Sequence, residues 1–90
     1  MRFLHYRFAT GAGDVIETVL TGNAANVRVM DDVNFQNYQE GRPYRFYGGH
    51  FTRSPAVITV PAGTWNVVVD LEGTIGGTVN AAVRVLQGAL

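Results

Sequence analysis

Short runs in which apolar and polar residues alternate, separated by glycine and proline, are the feature that most constrains the fold of this chain. In residues 65–71, apolar side chains occupy every second position: Trp65, Val67, Val69 and Leu71. A run near the end of the chain repeats the pattern with smaller side chains: Val79, Ala81, Val83 and Val85. Because successive side chains of a β-strand point to opposite faces, this period of two predicts strands with one buried face.

Strand signals recur along the chain and predict an all-β fold. We expect strands at residues 3–8, 14–21, 26–30, 43–47, 56–60, 64–71 and 78–86. Strands do not alternate with helices, and Gly11 and Gly13 lack the third glycine and the following helix of a dinucleotide-binding loop. We therefore expect residues 1–90 to form a single domain. It should be an antiparallel β-sandwich or small open barrel of about seven short strands with one short helix.

Two places break the alternation. In residues 31–41, an aspartate near the start can accept hydrogen bonds from free backbone N–H groups, Phe35 and Tyr38 lie three apart, and Gly41 can end a helix. This segment predicts the one short helix. Gly48 and Gly49 follow the fourth predicted strand and are expected to form a bulge or bend toward the hairpin of Trp65.

Charge and composition restrict the classes of partner. Seven arginines balance seven acidic residues, and the chain has neither lysine nor cysteine. A neutral chain argues against general binding to nucleic acid, which favours a clear basic excess. No apolar run reaches the length of a membrane span, and the lack of cysteine fits a reducing compartment. We expect a cytoplasmic protein that does not enter a membrane.

Residues 35–55 hold six of the ten aromatic residues and three of the seven arginines. Strand alternation would direct Tyr44 and Phe46 to the interior and Arg45 and Tyr47 outward. Aromatic and arginine side chains concentrate binding energy at interfaces, so we predict a surface that binds a protein or a small molecule. Its residues are Arg42, Arg45, Tyr47, His50 and Arg53. A wider version of the surface adds Tyr38. The alternative is a second, minor core of aromatic rings covered by arginine stems.

A metal site is a further candidate. Carboxylates bind Mg²⁺ or Ca²⁺, and histidine with carboxylate suits Zn²⁺ or Mn²⁺. The available residues are Asp31, Asp32, Asp70, His5 and His50, and only the adjacent aspartates are close in sequence. The structural alternatives are a helix cap by Asp31 or Asp32 and an ion pair from Asp70 to Arg28 or Arg84. We predict no metal and no cofactor.

Histidine is also the only candidate for acid–base catalysis. His5 lies among aromatic residues of the first predicted strand, which favours a structural role. His50 follows a glycine and could act as an acid or base, and Ser54 is the nearest nucleophile in sequence. Because no nucleophile motif accompanies this pair, we predict no catalytic residues.

Several short motifs together resemble a known family. They are Phe3-Leu4-His5, Gly13-Asp14-Val15, Asn26-Val27-Arg28-Val29-Met30-Asp31-Asp32 with Asn34-Phe35, Tyr47-Gly48-Gly49, Val60-Pro61 and Trp65-Asn66-Val67-Val68-Val69-Asp70-Leu71. The chain resembles a small bacterial family of all-β domains of unknown function, family 1883. The resemblance implies a compact, intracellular, non-catalytic module, sometimes joined to Toll/interleukin-receptor-like domains. It carries over no functional residue.

These patterns lead to three functional hypotheses. The first is a non-enzymatic bacterial module that binds a protein or small ligand through the predicted surface. The alternative is a structural protein that self-assembles into a homo-oligomer, because a neutral chain with open sheet edges and a small or apolar tail at residues 87–90 permits subunit contacts. The third is a metal-dependent hydrolase, which requires bound metal.

Overall fold

Two antiparallel sheets face each other, and one helix covers the outside of the larger sheet. The computed structural model describes residues 3–22, 24–71 and 77–87. The elements are β1 (Leu4–Thr10), β2 (Val15–Gly22), β3 (Ala25–Met30), α1 (Asp32–Gln39), β4 (Tyr47–Phe51), β5 (Ala56–Thr59), β6 (Gly63–Asp70) and β7 (Val79–Leu86). The four-stranded sheet has the order β1-β6-β3-β4, and the three-stranded sheet has the order β5-β2-β7. The predicted all-β fold is confirmed, and in the part of the chain that is described it is a sandwich.

The main core lies between the two sheets, on the faces that the alternation predicted. Val67 and Val69 of β6 pack there with Val27 and Val29 of β3, and all four are fully buried or nearly so. Ile16 of β2 closes the core from the three-stranded sheet. Trp65 and the predicted inward residues of β7 line its edges. Burial of these aliphatic chains supplies the main driving force for folding, at about 25 cal/mol per Å² of apolar surface.

A second core lies on the outer face of the four-stranded sheet, beneath α1. Met30, Tyr38 and Val68 are fully buried there. Rings pack around them from the residue before β1, from α1 and from the segment before β4: Phe3, Phe35 and Tyr44. Tyr38 meets the rings of Phe3 and Tyr44 edge-on, at centroid distances of 5.3 and 5.2 Å. Much of the aromatic segment therefore serves packing, and it attaches the helix to the sheet.

The predicted helix is confirmed, and both of its ends are capped by residues that the sequence indicated. The carboxylate of Asp31 accepts a hydrogen bond of 2.8 Å from the backbone N–H of Asn34, which is otherwise unpaired in the first turn. At the other end, Gly41 has a φ of 74° and lets the N–H of Arg42 reach the carbonyl of Asn37 at 2.8 Å. The helix therefore ends where glycine permits a left-handed residue.

Two sequence-based expectations around residue 45 are wrong. Residues 43–46 form no strand, and β4 begins only at Tyr47. Gly48 and Gly49 are not a bend, because they lie inside β4 opposite Arg28 and Val27 of β3. The physical reason is that Tyr44 packs its ring on the second core and against the ring of Phe46, 5.7 Å away, before the chain joins the sheet. Phe46 was expected in the interior, but it is 42% exposed, because the segment forms no ladder that would direct it inward.

A buried carboxylate organises the polar part of the outer face. Asp70 of β6 is only 2% exposed. It accepts hydrogen bonds from Asn26 Nδ2 at 2.8 Å and from the Tyr38 hydroxyl at 2.6 Å. It also pairs with the guanidinium of Arg28, which lies over the rings of Tyr38 and Phe46. The predicted ion pair between Asp70 and Arg28 is thus confirmed, whereas Arg84 pairs with Glu17.

Some expectations fall outside this description. The structure does not describe residues 88–90 of the predicted contact tail.

Among the described residues, no helix is long and apolar enough to span a bilayer.

The two glycines of β4 should respond very differently to the addition of a methyl group. Gly48 has a φ of 110°, and a Cβ there would lie 2.2 Å from the carbonyl oxygen of Val27. A Cβ on Gly49 meets nothing within 4 Å. Strain of this kind costs about 1–3 kcal/mol before the clash is counted, so Gly48→Ala should lower the free energy of unfolding by at least about 2 kcal/mol. Gly49→Ala is the control and should change it by less than about 1 kcal/mol. Urea denaturation measures both, and equal losses would contradict the backbone conformation.

Removing the Asp70 carboxylate should destabilise the fold strongly. Asp70→Ala leaves the cation of Arg28 buried without its partner, which typically costs about 3–5 kcal/mol of unfolding free energy. Arg84→Ala is the control, because the Arg84 side chain is largely exposed and its ion pair is expected to contribute about 1 kcal/mol or less. If Asp70→Ala does not fold, Tyr38→Phe tests the same centre by deleting one hydrogen bond, at about 1–3 kcal/mol. Losses below 1 kcal/mol for both Asp70→Ala and Tyr38→Phe would contradict a central role for Asp70.

A candidate ligand-binding cleft

An open cleft of about 420 Å³ lies at the end of the four-stranded sheet where β3 passes into α1. Its walls come from the end of β3, the first turn of α1, the segment before β4 and the starts of β4 and β6. The lining residues are Val29, Met30, Asp31, Asn34, Arg45, Phe46, Tyr47 and Trp65. Small-molecule sites in proteins typically have volumes of about 300–1,000 Å³, so the cleft is at the small end of that range.

An aromatic pair forms the apolar side of the cleft. The rings of Tyr47 and Trp65 meet edge-to-face, with centroids 5.5 Å apart and planes at 88°. Strand register brings them together, because Tyr47 is opposite Val29 and Val29 is opposite Val67, two residues along β6 from Trp65. Tyr47 is 44% exposed, whereas the indole N–H of Trp65 donates to the carbonyl of Pro61 at 2.8 Å. Tyr47 therefore offers ring surface to solvent, and the partly buried ring of Trp65 forms the wall behind it.

Polar groups on the opposite side are held by the helix cap. Asn34 donates through Nδ2 to the Asp31 carboxylate at 2.9 Å and accepts from the backbone N–H of Arg45 at 2.8 Å. These two bonds fix the backbone of Arg45 beside the first turn of α1. The Arg45 side chain is exposed and has no carboxylate within 4.0 Å among the described residues.

The structure brings together only part of the predicted binding surface. Arg45 and Tyr47 both line the cleft. Arg42 lies past the far end of α1, about 12 Å along the helix axis, and its guanidinium is 3.5 Å from Glu40. His50 is three residues beyond Tyr47 on β4 and thus on the opposite face of the sheet. Arg53 is exposed in the turn after β4.

His50 belongs to the polar network around Asp70. Its Nδ1 lies 3.2 Å from Oδ1 of Asn26, whose Nδ2 donates to Asp70. Because a carboxylate only accepts, the bond to Asp70 orients the Asn26 amide and leaves its oxygen to accept from His50 Nδ1–H. Ser54, the nucleophile nearest in sequence, accepts instead from the backbone N–H of Leu20 at 2.9 Å. The geometry thus assigns His50 and Ser54 to separate hydrogen bonds.

The other candidate metal ligands have separate structural partners. Asp31 caps α1, as predicted, and Asp32 receives two hydrogen bonds from Arg7, at 2.8 and 3.2 Å. His5 bonds through Nε2 to Asn66 at 2.8 Å and stacks on Phe35, which confirms the structural role expected for it. Among the described residues, no three histidine or acidic side chains form a group that could hold a metal ion.

Charge and hydrogen bonding at Asp32 shift its titration. The hydrogen bonds from Arg7 and from Asn66 Nδ2, the latter at 2.7 Å, lower the pKa of Asp32 to about 2. The charges of Arg7 and His5 act in the same direction, and desolvation opposes them. This carboxylate therefore stays ionised in the folded protein at pH values where an unfolded aspartate is protonated.

Two important residues of the cleft were absent from the predicted surface. Alternation places Trp65 on the buried face of its strand, and only the order of β6, β3 and β4 brings it to Tyr47. Asn34 carried a local signal, because it stands three residues after the capping aspartate, where side chains and backbone exchange hydrogen bonds.

A second cavity of similar volume lies at the other end of β6, between Phe3, Leu71 and Val79. It contains none of the predicted binding residues, and its side chains are mostly apolar. The cleft at Tyr47 and Trp65 is therefore the better candidate for a ligand, because it combines ring surface with a cation.

The depressed pKa of Asp32 makes a prediction about acid stability. A folded pKa of about 2 lies below the usual aspartate pKa of 3.8, so this group contributes stability that is present above pH 4 and is lost as the pH falls toward 2. Urea unfolding of the wild-type protein and of Asp32→Asn should differ at pH 5, and the difference in unfolding free energy should narrow steadily as the pH falls to 2. The difference should also shrink at high salt, because the pair with Arg7 is exposed. A difference that stays constant from pH 5 to pH 2 would contradict this assignment.

Comparison with known proteins gives one finding. The profile of a family described as Domain of unknown function (DUF1883) matches residues 1–88. No curated protein and no solved structure matches the chain. The match spans nearly the whole chain and agrees with the resemblance carried by its motifs, from the first strand to the segment around Trp65. This chain therefore belongs to the DUF1883 family.

Proposed function

We propose that the chain is a non-catalytic module that binds a small ligand in the cleft between Arg45 and the Tyr47–Trp65 pair. One observation carries the proposal: the exposed ring of Tyr47 and the partly buried ring of Trp65 line one cleft with a cation that has no ionic partner among the described residues. Aromatic and arginine side chains left open in a concave site are the groups that contribute most to binding elsewhere.

The binding free energies that can be expected indicate that the rings and the polar groups of the cleft must act together. A ligand that covers about 100 Å² of apolar ring surface gains about 2.5 kcal/mol. A dissociation constant of 1 mM requires about 4.1 kcal/mol, so stacking alone gives only very weak binding. The polar side chains around Arg45 are needed to supply the remainder. This reasoning favours a ligand that has both a flat apolar part and a polar group.

The proposal has a cellular setting as well. We infer a bacterial cytoplasmic protein, since the chain has no cysteine and its family resemblance suggests an intracellular module. In proteins where the domain is joined to a Toll/interleukin-receptor-like domain, ligand binding in the cleft would regulate the attached domain. The proposed role in this chain is recognition, because its serine and histidine are committed to separate hydrogen bonds.

Self-assembly is the second candidate, and one feature of the surface favours it. The outer face of the three-stranded sheet is covered by no described element and exposes Val19 and Val57, at 40% and 52%. The pair of Glu17 and Arg84 lies on the same face. This pair is satisfied within one copy, so a second copy related by a twofold axis would mainly cover the two exposed valines.

Ligand binding can be mapped by NMR with a library of ring-containing fragments of all charges. We expect shift changes to concentrate at the indole N–H of Trp65 and the backbone N–H groups of Arg45 and Tyr47. Tyr47→Ala should weaken the fragments that bind there by at least tenfold, because it removes half of the aromatic pair. Val57→Ala, on the other sheet, is the matched control and should leave the dissociation constants within twofold.

Native mass spectrometry of the purified protein separates the two candidates. A monomer that carries a small molecule, or fragments that map to the cleft, supports the binding module. A dimer whose mass reverts to monomer in Val57→Asp, together with no fragment in the cleft, would refute the binding module and favour self-assembly.

A further inference from the structure

We infer that the ligand of the cleft is a small planar ring that carries a carboxylate or a phosphate group. This inference rests on the proposed function and specifies the chemistry of the same site. It follows from which charged side chains of the cleft already have hydrogen-bond or ion-pair partners and which do not.

The one acidic residue of the cleft is committed to the helix. The Asp31 carboxylate accepts from the backbone N–H of Asn34 at 2.8 Å and from its side-chain amide at 2.9 Å. Both bonds reach Oδ1 and cap the first turn of α1. A cationic ligand at Oδ1 would have to compete with one backbone and one side-chain donor, and a cationic probe tests the remaining oxygen.

Arg45 is the charge that remains open. Of the six described arginines, four have a carboxylate within 4.0 Å: Arg7, Arg28, Arg42 and Arg84. Arg45 has none among the described residues, although the chain as a whole is neutral. Its backbone is held by Asn34, so the guanidinium extends from a fixed point on the wall of the cleft. The open cation favours an anionic ligand.

The guanidinium also limits the form of the anion. Its N–H groups form a planar fork that matches two oxygens of one carboxylate or one phosphate. Both anions provide such a pair of oxygens, and the cleft contains no feature that separates them. The shared chemistry is therefore an oxyanion with two adjacent acceptor atoms.

The aromatic pair determines the rest of the ligand. The indole N–H of Trp65 is used by the carbonyl of Pro61, so the indole offers ring surface and no donor. The Tyr47 ring stands at 88° to it, and the two rings form a corner that fits the face of one flat group and its edge. With about 420 Å³ available, the cleft accommodates a single ring system with its anionic group.

A charge series of small aromatic probes tests the inference. Trp65 is the only tryptophan, so its fluorescence reports directly on the cleft. The probes are phenyl phosphate, benzoate, benzyl alcohol and benzylamine, with inorganic phosphate to test the anion without a ring. We expect phenyl phosphate or benzoate to bind at least tenfold more tightly than benzyl alcohol, benzylamine and inorganic phosphate. The ratio between the two anions then separates phosphate from carboxylate.

Variants connect the preference to Arg45. Arg45→Ala should weaken the preferred anion at least tenfold and leave benzyl alcohol within twofold. Arg84→Ala removes an exposed arginine on the other sheet and should leave every probe within twofold. Equal binding of all four aromatic probes, or an anion preference that survives Arg45→Ala, would overturn the inference while the binding module stands. No response to either anion also overturns it, and the fragment map then decides separately whether the cleft binds anything else.

Discussion

The buried carboxylate of Asp70 is the interaction on which the outer half of this structure depends. A charge in that position is costly unless every partner is in place, and its partners come from two elements. Asn26 and Arg28 extend from β3, and the Tyr38 hydroxyl comes from α1. The helix can therefore occupy only the position in which Tyr38 reaches the carboxylate. Apolar packing beneath α1 holds it there, but the polar contact selects the position.

The cleft is a consequence of that position. With Tyr38 fixed at one end of α1, the first turn lies at the end of β3, and its capping residues face the start of β4. The chain returns from Gly41 across the second core, and the bond from Arg45 to Asn34 holds its last part against the helix. The cation and the aromatic pair are thus placed on two walls by the same contacts that stabilise the fold.

Most strands and the helix could be predicted from the sequence because their signals are local. Alternation identifies a strand such as β6. The capping aspartate, Asp31, and the glycine at position 41 mark the two ends of α1. The segment before β4 could not be predicted in this way. Tyr44 and Phe46 are two residues apart, which fits a strand in a hydrogen-bonded ladder. It fits equally well an irregular segment in which the two rings pack against each other, and the sequence does not distinguish these cases. Gly48 and Gly49 are similarly ambiguous, since glycine marks a bend as often as a strand that needs an unusual φ.

The candidate site shows the same division between local and long-range information. Arg45 and Tyr47 are recognisable from composition and alternation, but Trp65 joins them only through the order of three strands. His50 and Arg42 are also basic side chains of the same segment. Strand register places His50 on the opposite face of the sheet, and the length of α1 places Arg42 beyond its far end.

Phe46 links the two halves of the aromatic segment. Its ring lies 5.4 Å from the Arg28 guanidinium on the second core, and it also lines the cleft beside Arg45 and Tyr47. Because Phe46 lies between Arg45 and Tyr47 in the chain, the segment that forms one wall of the cleft is also the segment whose ring contacts the ion pair of Asp70. If the cleft binds the proposed ligand, binding and the stability of the outer layer would be coupled through this residue.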